Sequence, residues 1–168
     1  AVWFKSGIDA VDLKVGSGTA VTSVDFDGAV AIDGHVDINT GTMSLDNTMT
    51  TTASGNVLIT NSGVADINNK ITAQGDITFD GGGNIDLNAG LESAGAIDIT
   101  TSELKLTNDV TLETTGTGNI DLASVTTDTA DDHTLTLTSG GDVTVDSTIG
   151  VDGTEVGGVD VTKGGAVW

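Results

Sequence analysis

A short motif recurs along the chain at near-constant spacing, and this repeat constrains the fold more than any other feature. The motif is a glycine followed by a small or polar residue and then an apolar–polar–apolar triplet, as in Gly75-Asp76-Ile77-Thr78-Phe79. Successive copies begin 21, 20, 20, 23 and 23 residues apart. The glycines that open them are Gly34, Gly55, Gly75, Gly95, Gly118 and Gly141. A self-similar period of this length is the signature of a solenoid.

Each repeat contains more than one strand. Alternation of apolar and polar residues predicts a half-buried strand, and a second triplet follows the first, as in Met43-Ser44-Leu45 and Leu104-Lys105-Leu106. A third apolar position follows at Ile71, Leu91 and Val110. Glycine, Asn and Asp between the triplets suit sharp corners. The sequence therefore predicts an all-β parallel β-helix of about eight coils of 20–23 residues, with residues 1–168 as one solenoid segment.

The absence of proline agrees with this prediction. The chain has no proline in 168 residues. Every coil of a β-helix hydrogen-bonds to the coils on both sides, and a residue without an N–H would interrupt that pairing. A β-sandwich with strands every 8–12 residues is the alternative. It leaves the similarity between successive repeats unexplained.

The two ends of the sequence resemble each other. Ala-Val-Trp occurs at both termini, and Trp3 and Trp168 are 165 residues apart, which is about eight coil lengths. The match indicates a higher-order repeat with a rise of about 38 Å, at about 4.8 Å per coil, and a chance match is the alternative. Solenoids normally close with polar capping units, whereas both ends here are apolar. The solenoid therefore either belongs to a longer polypeptide or stacks end to end on copies of itself, with contacts expected through Val2, Trp3, Phe4, Val167 and Trp168.

The repeats resemble those in the shafts of secreted bacterial exoproteins of the filamentous-haemagglutinin type. The similarity covers roughly residues 28–162 and is carried by segments such as Gly-Asn-Ile-Asp-Leu at 118–122 and Gly-Gly-Asp-Val-Thr-Val at 140–145. The resemblance implies a right-handed parallel β-helix, export to the cell surface, and a role as an adhesin stalk or extracellular fibre. The matching positions are scaffold positions, so the resemblance implies no catalytic or cofactor-binding residue and no particular receptor.

The charge of the chain excludes several classes of partner. Twenty-five acidic residues face five lysines and no arginine, which gives a formal charge of −20. DNA, RNA and anionic membranes all require cationic side chains, so none of them is an expected partner. No apolar run approaches the length that spans a bilayer.

Carboxylates are the candidate metal ligands. Asp12, Asp37, Asp98, Asp121 and Asp160 each lie between apolar residues and are expected to point outward from strands. When the repeats are aligned, their outward residues form one column, which consists of Asp37, Leu58, Thr78, Asp98, Asp121 and Thr144. Only Asp98 and Asp121 are acidic neighbours in this column. The segment Gly81-Gly82-Gly83-Asn84-Ile85-Asp86 departs from the calcium-binding solenoid motif at Asn84. We expect a solvated acidic face without a dedicated cofactor. Weak Ca²⁺ binding at turns such as Asp131-Asp132, or near Asp25 and Asp27, is the alternative.

No catalytic constellation stands out. His35 and His133 are 98 residues apart and are expected at ordinary surface positions. A β-helix carbohydrate-active enzyme would need a basic residue near paired carboxylates and rings that stack on sugars, yet Phe26 and Phe79 are the only aromatics between residues 5 and 167. An ice-binding threonine array is also disfavoured, because the triplet at 134–138 does not recur in register. The sequence therefore predicts a structural module rather than an enzyme, with a calcium- or glycan-binding extracellular module as the alternative.

Overall fold

The computed structural model describes residues 1–151 and 153–162, and in that part of the chain every regular element is a β-strand. The strands are β1 (Val2–Phe4), β2 (Ile8–Ala10), β3 (Leu13–Val15), β4 (Val21–Phe26), β5 (Val30–Ile32), β6 (Val36–Leu45), β7 (Met49–Thr51), β8 (Val57–Asn61), β9 (Ala65–Ile67), β10 (Ile71–Ala73), β11 (Ile77–Asp80), β12 (Ile85–Leu87), β13 (Leu91–Ser93), β14 (Ile97–Leu106), β15 (Val110–Thr114), β16 (Ile120–Thr127), β17 (Thr134–Thr138), β18 (Val143–Val145) and β19 (Gly158–Thr162).

All strand pairs are parallel, and they stack into three columns that we call faces 1, 2 and 3. Face 1 is defined by the paired positions Val2, Val24, Met43, Ala65, Ile85, Leu104, Val125 and Ile149. Face 2 is defined by Ile8, Val30, Met49, Ile71, Leu91, Leu112, Leu137 and Val161. Face 3 is defined by Leu13, Val36, Val57, Ile77, Ile97, Ile120 and Val143. The predicted β-solenoid of about eight coils is confirmed.

The corners from face 1 to face 2 and from face 2 to face 3 are turns between separate strands. The corner from face 3 to the next face 1 lies within a continuous strand in several coils. The long strands β6, β14 and β16 bend from face 3 into face 1 without interruption, so these two faces form one eleven-stranded sheet. Face 2 forms the second sheet, with eight strands. In β6 the bend falls near Gly41, where a Cβ would lie 2.4 Å from the Thr22 carbonyl oxygen of the preceding coil. A glycine at this bend lets the backbone of one coil approach the next.

The interior is a column of aliphatic side chains. Alternate residues of the strands point inward and are buried, as the period-2 pattern predicts. Phe79 is 1 % exposed and Phe26 is fully buried, so both mid-chain aromatics belong to this core. In the first coil Val15 is buried, whereas the other inward strand residues are only partly buried: Val2, Phe4, Ile8, Ala10 and Leu13. They are covered by a neighbouring coil on one side only.

The register of face 3 matches the predicted outward column. Asp98 pairs with Asp121, and Thr78 lies between Leu58 and Asp98. One expectation was wrong in detail: Asp12 lies in the turn between β2 and β3 rather than on a strand. Val110 is a buried residue of the third strand, as predicted, and the residue paired with Leu91 is Leu112, because β15 begins two residues earlier than the three-residue strands of face 2 in the preceding coils.

A line of side chains, which we call the turn ladder, connects successive coils just before face 3. Each member accepts a hydrogen bond from the backbone N–H of the equivalent residue in the following coil. Asn56 Oδ1 accepts from Asp76 N at 2.9 Å, and Asp76 Oδ1 accepts from Ala96 N at 2.8 Å. The acceptors are Asp12, His35, Asn56, Asp76 and Asn119. Ala96, at the equivalent position, offers no acceptor to Asn119.

The glycines that open the repeats leave room for this ladder. A Cβ on Gly75 would lie 1.9 Å from Asn56 Oδ1, and one on Gly95 would lie 2.1 Å from Asp76 Oδ1. At Gly55 the obstacle is backbone, since a Cβ would lie 1.8 Å from the Gly34 carbonyl oxygen. The recurrent glycine of the sequence motif is therefore required by contact between coils.

Buried hydroxyls satisfy carbonyl groups at the same corner. Thr51 Oγ1 donates to the Gly55 carbonyl at 2.6 Å, and Ser93 Oγ donates to the Gly75 carbonyl at 2.6 Å. Thr114 and Ser139 both donate to the Gly118 carbonyl, at 2.9 and 3.0 Å. Pairing of these groups offsets the cost of burying polar atoms at a turn.

Candidate functional site: the open ends and an acidic corner

The first coil presents an open edge. In the described part of the chain, β1 pairs only with β4, β2 only with β5 and β3 only with β6. A parallel strand uses alternate backbone groups for its two neighbours, so one set on each of these strands has no strand partner. This edge is the type of surface onto which another strand can add.

The aromatic residues of the first coil have two different environments. Phe4 points inward and stacks on Phe26, with ring centroids 5.0 Å apart. Trp3 points outward and is 58 % exposed, and Lys5 Nζ lies 4.0 Å from the centroid of its ring. Val2 is half-buried. Of the five residues expected at end-to-end contacts, these three therefore lie at the open edge, whereas Val167 and Trp168 lie outside the described residues.

The opposite end is also open on face 2. Strand β19 pairs with β17 and with no other strand among the described residues. Val159 in this strand is 44 % exposed. Ile149 and Val151, in the segment before β19, are exposed as well.

Exposed large apolar side chains concentrate at these two ends. Seven such residues occur in the described part of the chain, and only Leu58 and Val64 lie in the middle coils. The other five are Trp3, Val11, Ile149, Val151 and Val159. Large apolar groups that gather on one surface indicate a site of contact with another macromolecule.

Three carboxylates meet at the corner that follows face 1 near the amino end, and we call Asp25, Asp27 and Asp46 the acidic corner. One oxygen of each lies within 4.8 Å of the others. Asp46 Oδ1 accepts hydrogen bonds from Ser44 Oγ at 2.9 Å and Asn68 Nδ2 at 2.8 Å. Asp25 Oδ1, in contrast, is buried and has no hydrogen-bond partner.

Burial and neighbouring negative charge raise the pKa values of two carboxyl groups on face 1. Partial burial raises the pKa of Asp25 above its usual range, and the carboxylates of Asp27 and Asp46 raise it further. Burial and the carboxylate of Asp86 raise the pKa of Asp66, against the opposing effect of Lys105. Lys105 Nζ lies 3.3 Å from Asp86 Oδ2. A cation at the acidic corner would relieve the repulsion there.

The structure brings together some of the predicted carboxylates and not others. Asp98 and Asp121 are neighbours in successive coils, as predicted, and Asp98 Oδ1 accepts a hydrogen bond from Thr100 Oγ1 at 2.7 Å. Asp131 and Asp132 join no group of three ligands among the described residues. Asp46 lies beside Asp25 and Asp27 because this coil is short. Val24 pairs with Met43, which is 19 residues later in the chain, so the turn after Leu45 stacks on the turn after Phe26.

The histidines have structural partners. His35 is exposed, as expected, and its Nδ1 accepts the Asn56 N–H at 3.1 Å, which makes it a member of the turn ladder. His133 Nε2 lies 2.8 Å from Asp128 Oδ1. The two histidines lie in different coils and have different hydrogen-bond partners.

A shallow groove crosses face 2, with a volume of about 260 Å³. Lys70 Nζ lies 2.5 Å from Glu92 Oε2 in this groove, and Glu92 pairs with Glu113 of the next coil. A basic group beside paired carboxylates is the arrangement that the carbohydrate-active alternative requires, and sequence reasoning missed it. No aromatic side chain is among the residues that line the groove, which are Lys70, Gly90, Leu91, Glu92, Asp109, Thr111 and Glu113. The groove therefore has no ring on which a sugar could stack.

The parallel strands, the repeated corners and the continuous aliphatic core define a β-solenoid repeat protein. Comparisons of the chain with protein-family models, with curated proteins and with solved structures found no match. No helix in the described residues is long and apolar enough to cross a membrane.

Proposed function

We propose that this chain is a structural segment of a long extracellular β-solenoid filament or adhesin shaft, which stacks end to end with neighbouring repeats or subunits. The observation that carries the proposal is the open edge of the first coil: each of β1, β2 and β3 has a strand partner on one side only among the described residues. Another coil placed on that edge would pair these backbone groups and cover half-buried apolar side chains such as Phe4 and Ile8.

The distribution of charge and apolar surface supports the same role. Five of the seven exposed large apolar residues in the described coils lie at the two ends. The net charge of −20 keeps the side walls of such filaments apart, since like-charged surfaces repel. The resemblance of the repeats to secreted exoprotein shafts supports a location at the cell surface. The role is mechanical, and it requires no catalytic group.

The proposal is tested by assembly of the 168-residue chain. Sedimentation should show growth beyond the monomer as the protein concentration rises. Electron microscopy should show thin filaments with an axial repeat of about 38 Å, the rise of eight coils at about 4.8 Å each. Single-chain particles at all concentrations, in material whose circular dichroism shows a folded β-protein, would refute self-stacking.

Weak Ca²⁺ binding at the acidic corner is a second candidate function. The observation in its favour is Asp25 Oδ1, which is buried without a hydrogen-bond partner beside Asp27 and Asp46. Calcium takes six to eight oxygen ligands at about 2.3–2.6 Å. The three carboxylates could supply part of that set, with water completing it.

A calcium titration of thermal stability tests this second function. Ca²⁺ that binds the folded state raises the Tm by mass action, and Asp25→Asn should abolish that rise. Asp98→Asn is the matched control, because it removes one carboxylate from the outward column of face 3 and leaves the acidic corner intact. An equal response to Ca²⁺ in all three proteins would show that the effect is general screening of charge.

A further inference from the structure

We propose that the partner at the open edge is a second copy of this chain, docked head to tail with its faces in register, so that β2 of one copy adds to β19 of the other. This inference rests on the proposed function and specifies its geometry. Both strands belong to face 2, and each has a free edge on the side away from its own solenoid in the described part of the chain.

The register follows from the columns of face 2. The paired positions run from Ile8 to Val161 through every coil. Continuation of the same column across the junction sets Ile8 of one copy opposite Val161 of the other. The outward residues Asp9 and Thr162 then become neighbours, and Asp9 meets no like charge.

Face 1 distinguishes this orientation from rotated ones. Val125 pairs with Ile149, so the outward residue that follows on the last coil is Gly150. Continuation of face 1 places the exposed indole of Trp3 over Gly150, which has no side chain, and beside exposed Val151. A Cβ on Gly150 would lie 3.0 Å from Glu155 Cα, so the indole also meets the backbone that follows Gly150. Rotation by one face would place Trp3 over Thr162, a β-branched residue.

Charge favours head-to-tail contact over the two symmetric alternatives. In residues 1–23 two lysines and two aspartates cancel, whereas residues 125–168 carry eight carboxylates and one lysine. Two carboxyl ends would repel each other. Two amino ends would offer each other no excess of opposite charge, since Lys14 already pairs with Asp37 of the second coil, whereas head-to-tail contact sets Lys5 against the acidic end.

The absence of cysteine makes the junction accessible to disulfide mapping. The chain has no cysteine, so an introduced pair reports only its own contact. In the proposed register the double variant Asp9→Cys/Thr162→Cys places two outward residues about 4.8 Å apart, within the range that a disulfide spans. Within one chain the same two positions are seven coil spacings apart, about 34 Å, so they cannot join intramolecularly. Both side chains are exposed, and their replacement leaves the core intact.

The expected result is a ladder of covalent dimers, trimers and larger oligomers on a non-reducing gel after mild oxidation. The double variant Trp3→Cys/Thr162→Cys, which reports rotation by one face, should give no ladder. The single variant Asp9→Cys, which reports contact between two amino ends, should form no covalent dimer on the same gel although it assembles in sedimentation. Each protein is checked for folding by circular dichroism and for assembly by sedimentation.

The outcomes separate the two proposals. Assembly with cross-linking through the rotated pair or through the single cysteine would overturn the register and leave end-to-end stacking in place. Assembly without any cross-link would also overturn the register. Absence of assembly in every variant and in the parent chain would overturn the proposed self-stacking itself.

Discussion

Replacement of Ala96 by Asn should stabilise the fold, because it completes the turn ladder. Every other position of the ladder from Asp12 to Asn119 supplies a side-chain acceptor, at 2.8–3.1 Å from the backbone nitrogen of the next coil. At the gap, Gly118 follows in the next coil just as Gly75 follows Asn56. The glycine has no Cβ to occupy the space that the new amide needs.

The magnitude follows from the balance of two effects. A hydrogen bond of this kind contributes about 1 kcal/mol net. Fixing the Asn side chain costs about 0.5 kcal/mol in rotamer entropy. The free energy of unfolding should therefore rise by about 0.5 kcal/mol, which corresponds to an increase in Tm of about 1–2 °C for a chain of this size.

Removal of an existing ladder acceptor should lower the free energy of unfolding. Asn56→Ala removes an acceptor that Asp76 N–H uses and should lower the free energy of unfolding by about 1 kcal/mol. Thermal melting followed by circular dichroism measures both variants. Ala31→Asn is the matched control, because it makes the same change at an exposed strand position outside the ladder and should give no stabilisation. The reasoning fails if Ala96→Asn is no more stable than the parent and Asn56→Ala is no less stable.

Three further predictions concern the close contacts, the core and the charge. Gly55→Ala should prevent stable folding, measured as loss of a cooperative melt, because its Cβ would lie 1.8 Å from the Gly34 carbonyl oxygen. Phe79→Ala should cost about 3–5 kcal/mol in chemical denaturation, whereas Thr78→Ala on the outward side of the same strand should cost under about 0.5 kcal/mol. Asp25→Asn should raise stability at pH 7, because the raised pKa of Asp25 means that the ionised form destabilises the fold. This gain should shrink as the pH falls through the raised pKa and vanish below the ordinary value of 3.8, where the folded and unfolded states are both protonated. Denaturation across pH that shows the same gain at pH 3 as at pH 7 would contradict this assignment.

The sequence predicted the fold well because the repeat determines it directly. Strict alternation fixes which residues face inward, and the spacing of the glycines fixes which residues stack. The outward column from Asp37 to Thr144 was therefore predicted in the register that the structure has.

The candidate site was predicted less completely, for reasons that lie in the corners. Asp46 lies 21 residues from Asp25, yet the two come together because Asp25 pairs with Ser44 and Asp46 follows in the adjoining turn. The apolar neighbours of Asp12 predict a strand residue, but one of those neighbours, Val11, is exposed, and both residues lie in a turn. Corner lengths vary from coil to coil, and one extra or missing residue there changes which turn side chains meet without altering the strand pattern.

The turn ladder also gives the solenoid a direction. Every acceptor binds the N–H of the coil that follows it in sequence, and none binds the coil before. Within the ladder, a completed coil therefore offers a preformed side-chain acceptor towards its carboxyl side and a backbone N–H towards its amino side. Folding that begins at the amino end can proceed one coil at a time, in the same order in which the chain is synthesised, with each coil serving as the template for the next.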